Sequence, residues 1–217
     1  MTYLALPAKV VLAFSALLLF AGESHCGEKK ENKLAFLASD PSEAVQESVE
    51  WVRDKKDNRK LPYAVIDKSY SGVYVFDEKG KFVAAGPVLL GIAKLDRIDP
   101  KTLNYKLSQI TPDKRVTPSG RYRSFLGKDR RGKELLWVDY QYAIAIHPVA
   151  DVRGQNRKTR LKTKTHSDNR ITWGCINVEP ELFKNVITPL FQERGGMVYV
   201  LPEEPENKGI LQIVDKG

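Results

Sequence analysis

The chain has 217 residues, of which 35 are Lys or Arg and 27 are Asp or Glu, so its formal net charge is +8 at pH 7. This length suits one domain with a sizeable hydrophobic core. The positive charge favours an anionic partner such as nucleic acid, anionic lipid or a carboxylate-rich polymer. Because there are only 2 cysteines, a disulfide framework is excluded as the source of stability.

The first 25 residues have the features of a secretory signal peptide. Lys9 is followed by an apolar run, Val10–Ala21, in which Ser15 is the one residue that is not apolar. This run is too short to cross a bilayer core of roughly 30 Å, so residues 1–25 are interpreted as a cleaved signal rather than an uncleaved anchor. The predicted location is the periplasm or cell envelope, with membrane contact only through this transient segment. Export argues against a nucleic-acid partner.

Residues 26–60 are predicted to form an N-terminal helix and a charged linker. Asp40 or Ser42 can cap an amphipathic helix, whose apolar residues recur at helical spacing: Ala44, Val45, Val49 and Val52. The highly charged residues 53–60 that follow are interpreted as the linker.

From residue 61 onward the pattern changes to short strands rich in β-branched and aromatic residues. A helix is predicted at 180–191, and residues 204–217 form a polar tail. Short strands with few helices predict a mainly β domain over residues 61–203. The predicted strands are Tyr63–Asp67, Gly72–Phe76, Phe82–Val88, one that follows a turn at Thr117–Gly120, Leu135–Asp139, Gln141–His147 and 195–201.

Residues 172–177 read Thr-Trp-Gly-Cys-Ile-Asn and contain Cys175. A free thiol is a poor nucleophile at neutral pH until something stabilises its thiolate. Gly174 permits a tight turn, and the backbone amides of Gly174 and Cys175 are candidates for binding a developing oxyanion. A buried structural cysteine is the alternative. The turn and its polar neighbours favour a nucleophile for acyl transfer.

Only 3 histidines are available as a catalytic base for this thiol. His147 ends an apolar run, so it is predicted to lie at the tip of a strand, where a rigid element can aim it. His166 lies in a polar loop and is expected to be solvated. His147 is therefore the predicted base. A metal site built from both histidines and Cys175 lacks a fourth ligand and matches no zinc spacing, so no metal is expected.

The segment between His147 and Cys175 is basic. Residues 153–164 contain several Lys and Arg and no acidic residue. This segment either gathers an anionic substrate or is a solvated loop, and both interpretations stay open. Arg170 is the stronger candidate for a contact with a single substrate carboxylate. Trp173 is predicted to line the pocket rather than to pack in the core.

Four separated motifs resemble, in order, those of the L,D-transpeptidase (YkuD-type) catalytic domain. They are Val65-Ile-Asp-Lys-Ser with Val73-Tyr-Val-Phe-Asp, Thr117-Pro-Ser-Gly-Arg-Tyr, Ile146-His147 and Thr172-Trp-Gly-Cys-Ile-Asn177. The resemblance covers about residues 61–203. Two features depart from the family pattern: Trp173 replaces a histidine, and the interval from His147 to Cys175 is longer than usual.

The resemblance implies a YkuD-like β-sandwich and an enzyme of peptidoglycan metabolism that contributes to cell-wall biogenesis and cell shape. Cys175 would attack the carbonyl after the third residue of a stem tetrapeptide and release D-alanine. An amine of a second stem would resolve the thioester into a 3–3 cross-link, without any cofactor. His147 would move the protons and Gly174 would shape the turn. The implied substrate-binding residues are Arg170, Thr172, Trp173 and Asn177.

Three alternatives stay open at this point. With water as acceptor, the enzyme is an L,D-carboxypeptidase. With another amine, on a wall-attached protein or a free D-amino acid, it transfers the acyl group elsewhere. In the third alternative the domain is a non-catalytic peptidoglycan-binding factor anchored by residues 153–164. The sequence specifies neither the acceptor nor the oligomeric state.

Overall fold

The structure is a computed structural model and describes residues 31–32, 39–163 and 165–203. The predicted signal peptide and the polar tail lie outside the described residues. The strands of the described part are β1 Tyr63–Asp67, β2 Gly72–Phe76, β3 Phe82–Pro87, β4 Leu90–Gly91, β5 Gly120–Lys128, β6 Glu134–Asp139, β7 Ile144–Pro148, β8 Arg170–Thr172, β9 Ile176–Val178 and β10 Gly196–Val200.

The helices are few and, except for the first, short. They are α1 Glu43–Lys55, α2 Arg157–Leu161, and a helical segment made of α3 Pro180–Leu182, a π-helical stretch Phe183–Ile187 and α4 Thr188–Phe191. Single 3₁₀ turns cover Pro100–Asn104, Leu107–Gln109, Pro112–Lys114 and His166–Asn169. None of the helices in the described ranges has the length and apolarity that a membrane crossing requires. The predicted mainly β class with a few short helices is confirmed.

Eight of the strands form one continuous mixed sheet in the order β3-β2-β1-β10-β5-β6-β7-β9, and β4 pairs with β8 beside it. Most neighbours are antiparallel. The exceptions in the large sheet are β1 with β10 and β7 with β9, which are parallel. The sandwich expected from the resemblance is thus built from a single hydrogen-bonded sheet whose two halves face a shared core.

The sheet buries both of its faces around β1. Ala64 and Ile66 point into the larger core, to which strands from both halves of the sheet and the helical segment 180–191 contribute. Tyr63 and Val65 point the other way, into a second core covered by α1. This alternation follows from the two-residue period of a strand.

Helix α1 forms because its start is capped and one face is apolar. The Ser42 hydroxyl accepts a hydrogen bond from the Val45 amide at 3.3 Å and donates to Asp67 Oδ2 at 2.5 Å. Val45, Val49 and Val52 are buried against the sheet. The helix continues through Lys55, so the first residues of the predicted charged linker, 53–55, are helical. The basic side chains of Arg53 and Lys55 lie in the last turn, where they interact favourably with the negative end of the helix dipole.

Two local features differ from the sequence-based expectation. The strand predicted to start at Gln141 starts at Ile144, because residues 140–143 form a turn in which Asp139 Oδ1 accepts the Tyr142 amide at 3.1 Å. Ala143 closes this turn with a positive φ of 54°. Helix α2 and strands β4, β8 and β9 were not predicted.

Replacement of Val52 by alanine tests the docking of α1. Val52 is 0% exposed, so Val52→Ala is expected to lower the free energy of unfolding by about 2 kcal/mol through lost burial and a residual cavity. Val83→Ala, on the outer strand β3 at 43% exposure, is the matched control and is expected to change it by less than about 0.5 kcal/mol. Urea unfolding measures both, and equal effects would contradict the packing described.

Candidate active site

The parallel pairing of β7 with β9 sets the segment that carries the predicted nucleophile next to the strand that carries the predicted base. His147 lies opposite Asn177 in this pair, and Ile146 lies opposite Ile176. Cys175 comes immediately before β9, and the backbone of Ala145 in β7 forms a hydrogen bond with its thiol. Continuing the same register by one residue sets Cys175 beside Ala145, two positions before His147.

The imidazole of His147 is held at both ring nitrogens. Nδ1 lies 2.8 Å from the Pro148 carbonyl oxygen, and Nε2 lies 3.0 Å from Asn177 Nδ2. A carbonyl oxygen only accepts, so Nδ1 carries a hydrogen. Nε2 is therefore the ring nitrogen that is able to receive a proton in the neutral imidazole.

The thiol of Cys175 points toward the turn before β7. Its Sγ lies 3.5 Å from the Ala143 carbonyl oxygen. Within the described residues, the hydrogen-bond contacts of the His147 ring are to Pro148 and Asn177 rather than to this sulfur. Catalytic hydrogen bonds are often absent or long without substrate and form in the complex.

Burial keeps both groups neutral at rest. It raises the pKa of the Cys175 thiol, against the opposing effects of the hydrogen bond with Ala145 and the positive charge of Arg157. It lowers the pKa of His147; the hydrogen bond to Pro148 opposes this shift and the charge of Arg157 adds to it. The resting pair is therefore a thiol and a neutral imidazole, which suits general-base activation.

The turn that carries Cys175 requires glycine at position 174. Gly174 has a φ of +129°, and a Cβ atom there would lie 2.5 Å from the Val116 carbonyl oxygen. The Gly174 amide donates to Thr172 Oγ1 at 3.1 Å, and the same hydroxyl donates to the Cys175 carbonyl at 2.6 Å. Thr172 thus shapes the turn. Because its amide is engaged inside the turn, the oxyanion role of Gly174 stays a prediction without support from this geometry.

Thr117 fixes the turn from behind. Its hydroxyl donates to the Gly174 carbonyl at 2.8 Å and accepts from the Gly91 amide at 2.9 Å. Its carbonyl accepts from Lys68 Nζ at 3.0 Å. The Thr-Pro-Ser-Gly motif therefore connects β4, the Gly174 turn and a buried ammonium group.

Arg170 belongs to a largely buried ionic cluster that also contains Lys68, Glu203 and the partly exposed Asp96. The Arg170 guanidinium contacts the two Glu203 carboxylate oxygens at 2.7 and 2.6 Å and donates to the Lys68 carbonyl at 2.6 Å. Lys68 Nζ lies 2.7 Å from Asp96 Oδ1 and 3.3 Å from Glu203 Oε1. Arg170 is thus occupied by partners within the chain, and its predicted contact with a substrate carboxylate gains no support here.

Trp173 and Arg115 pack against each other at the surface, beside the Gly174 turn. Trp173 is 38% exposed, and the guanidinium carbon of Arg115 lies 3.7 Å from its ring centroid. The structure thus places the residue that replaces the family histidine at the surface rather than in the core.

His166 lies apart from the thiol. Its ring stacks edge-on against Tyr70 with centroids 5.3 Å apart. It lines a polar cavity of about 500 Å³ together with Ser69, Lys94, Leu95, Asp96, Arg170 and Glu203.

Asn177 and Arg157 complete the site from the side of α2. Asn177 is 0% exposed, so any direct contact with substrate, as predicted, requires the buried amide to move. Its Oδ1 accepts from Arg157 Nη1 at 3.1 Å. Arg157 was noticed in the sequence only as one member of a basic run. Its spacing of four from the apolar Leu161 was the available sign that one face of this run is buried.

Comparison with known proteins gives structural similarities of low identity. No protein-family model matches the chain, and no curated protein matches it significantly. Similar solved structures include an L,D-transpeptidase from Stackebrandtia nassauensis, at 16% identity and a TM-score of 0.40, with 67% of this chain and 57% of that one covered. The catalytic domain of the E. faecium L,D-transpeptidase gives 17% identity and a TM-score of 0.34, with coverages of 65% and 97%.

The helical cell shape determining protein Pgp2 from Campylobacter jejuni is also similar, at 14% identity and a TM-score of 0.41, with 66% of this chain and 48% of that one covered. This chain therefore spans about half the length of the Stackebrandtia protein and of Pgp2. The solved L,D-transpeptidases bear the name of the family that the motifs resemble. At these identities and TM-scores no activity is transferred from them.

Gly174→Ala is expected to destabilise the protein by about 2 kcal/mol more than Gly154→Ala. Both glycines have positive φ, which costs an alanine about 1 kcal/mol or more. Only at Gly174 does the added methyl meet a backbone oxygen, because nothing lies within 4 Å of a Cβ at Gly154. Thermal or urea unfolding of the two variants compares them. Equal losses would show that the Gly174 turn differs from the one described.

The alkylation rate of Cys175 is expected to keep rising with pH beyond the range in which an ordinary free thiol titrates. The raised pKa of the thiol leaves little thiolate at neutral pH. The rate constant with iodoacetamide is measured against pH in a Cys26→Ser background, because Cys26 is the other cysteine of the sequence, with glutathione as the reference thiol. A plateau already reached below pH 7 would instead show a preformed thiolate–imidazolium pair.

Proposed function

We propose that this protein is an exported cysteine acyltransferase of the L,D-transpeptidase type, which forms 3–3 cross-links between peptidoglycan stem tetrapeptides. The observation that carries the proposal is the parallel pairing of β7 with β9, which sets the segment of Cys175 next to the strand that carries His147, with Nδ1 of the imidazole fixed on the Pro148 carbonyl. Four family-like motifs in the same order support it, and two of them supply these residues.

In the first half-reaction, the Asn177 amide releases Nε2 of His147, the thiol proton moves to this nitrogen, and the sulfur attacks the carbonyl carbon of the third stem residue. The bond from this carbon to the D-alanine nitrogen then breaks. The nitrogen leaves with the proton that His147 returns to it. A thioester on Cys175 and free D-alanine are the products, and the imidazole is neutral again.

In the second half-reaction, the side-chain amine of another stem attacks the thioester. His147 accepts a proton from this amine and passes it to the departing sulfur. An amide bond replaces the thioester, and the thiol is restored. The energy comes from the peptide bond that was cleaved, so the reaction needs no nucleotide.

Charge around the site favours an anionic substrate. The net charge of the chain is +8. The positive charge of Arg157 lowers the pKa of Cys175, against the larger effect of burial. Arg115 adds a second cation, which packs on the exposed ring of Trp173. A stem tetrapeptide carries a terminal carboxylate next to the scissile bond. Arginine groups recognise carboxylates well, since their donors match the two oxygens.

The proposal is tested by incubating purified tetrapeptide muropeptides with the protein and analysing the products by mass spectrometry. Loss of D-alanine with formation of 3–3 dimers is expected. Cys175→Ala is expected to abolish turnover. His147→Ala is expected to lower kcat/KM by at least about 100-fold, the usual worth of a general base. His166→Ala, away from the thiol, is the matched control and is expected to stay near the wild-type rate.

Other outcomes assign other activities. Release of D-alanine without dimers would identify hydrolysis, and incorporation of an added D-amino acid would identify a different amine acceptor. Intact tetrapeptide with a folded protein that still binds peptidoglycan would contradict the enzymatic proposal. Equal losses in the two histidine variants would contradict the assignment of the base.

A further inference from the structure

We propose that Arg157 is a positioning residue that acts through Asn177 to fix the tautomer of His147, so that Nδ1 carries the hydrogen and the Asn177 NH₂ group donates to the lone pair of Nε2. What this nitrogen does in catalysis rests on the proposed function. The tautomer itself is a property of the resting protein and is measured without any substrate.

Arg157 determines which way the amide of Asn177 faces. A guanidinium group has only donors, so the atom of Asn177 that lies 3.1 Å from Arg157 Nη1 has to be the acceptor Oδ1. The amide nitrogen Nδ2 then faces His147 Nε2 at 3.0 Å. An amide rotated by half a turn would bring its NH₂ group against the guanidinium and leave two donors facing each other.

The backbone on both sides of Asn177 leaves the side chain little freedom. The backbone N–H of Asn177 donates to the Leu89 carbonyl, and the backbone carbonyl of Asn177 accepts from the Leu89 N–H, at 2.9 Å each. The residue is buried in the β7–β9 pair opposite His147. Because Arg157 fixes which way the side-chain amide of Asn177 faces, it also fixes which atom of that amide faces the imidazole of His147.

Two independent contacts select the same tautomer of His147. The Pro148 carbonyl requires a hydrogen on Nδ1, and the Asn177 NH₂ group requires a lone pair on Nε2. A proton on Nε2 would face the donor Nδ2 of Asn177 and the nearby positive charge of Arg157. The contacts from Arg157 through Asn177 thus keep the resting imidazole of His147 neutral. Once His147 has taken the proton of Cys175, the same contacts make the resulting imidazolium a good proton donor.

The position of Arg157 is itself fixed. It is 8% exposed, and its Nε donates to Gln155 Oε1 at 2.7 Å. One turn later in α2, Leu161 packs with Leu89 and Val149 in a small apolar cluster. This anchoring gives part of the basic segment a defined role instead of that of a solvated loop.

Other charged groups also act on His147. Asp129 and Lys133, in the turn between β5 and β6, have opposite effects on its pKa. The two hairpin charges oppose each other, so Arg157 is the cation whose removal is expected to matter most.

Nitrogen-15 NMR of histidine-labelled full-length protein tests the proposal, since each of the 3 histidines is assigned by its glutamine variant. In the wild type, Nε2 of His147 is expected to show a pyridine-like shift and Nδ1 a pyrrole-like shift. Asn177→Asp places acceptors opposite Nε2 and is expected to put a hydrogen on it as well, so that both ring nitrogens become pyrrole-like while Pro148 still accepts from Nδ1. Arg157→Met is expected to mix the two tautomers and to raise the pKa of His147, because a positive charge that lowers it is removed.

Arg157→Lys, which keeps a charged donor, is expected to restore most of the wild-type tautomer. Lys158→Met is the matched control, because Lys158 is an exposed neighbour in α2 that pairs with Asp151, and it is expected to change nothing at His147. If the enzyme turns over tetrapeptides, the acidic limb of kcat/KM is expected to move to higher pH in Arg157→Met.

A pyrrole-like Nε2 in the wild type would overturn the proposal without any variant. So would an unchanged pyridine-like Nε2 in folded Asn177→Asp. A protein that shows the expected tautomer but leaves tetrapeptides intact would retain this inference and refute the proposed function. The two failures are therefore distinguishable.

Discussion

The parallel pairing of β7 with β9 is the constraint on which the candidate site depends. Parallel neighbours cannot be joined by a tight hairpin and need a longer crossover connection. Here the crossover is residues 149–175, and it contains α2 and the turn that ends at Cys175. The strand pair thus sets His147 opposite Asn177, and the crossover that the pair requires also delivers Arg157 and the thiol.

Behind this pair, the largely buried ionic cluster holds the turn in place. Lys68 is 0% exposed, and a buried ammonium is tolerated only when its hydrogens are satisfied. Asp96, Glu203 and two carbonyl oxygens do this, and one of those carbonyls belongs to Thr117. Removing one partner of such a pair typically costs about 3–5 kcal/mol. Displacing Thr117, and with it the Gly174 turn, would break one of these contacts and would therefore lower the free energy of unfolding substantially.

Local patterns predicted the parts of the fold that local patterns determine. Tyr63–Asp67 and Gly72–Phe76 were predicted with the bounds that the structure gives, since each is a short β-branched run next to turn residues. The turn at Gly174 followed from the glycine next to the cysteine. The mainly β class followed from the number of such runs.

Contacts between distant segments were beyond the reach of the sequence. Arg170 stands near Cys175 in the chain, but its partner Glu203 lies 33 residues away, and nothing in the local pattern connects them. Strand β8 has three residues and exists because β4 lies beside it. Arg157 is selected from its basic neighbours by the burial of α2, which is a tertiary event.

The place of β10 in the sheet has a consequence for the order of folding. β10 is the last of the described strands in sequence, yet it lies between β1 and β5 and pairs with both. The half of the sheet that carries α1 and the half that carries Cys175 therefore cannot join until residues 196–200 have arrived. Contacts of such long sequence separation close late and slowly. A chain emerging from the ribosome thus unites the half that carries α1 with the half that carries Cys175 only after β10 has been inserted between two segments that preceded it.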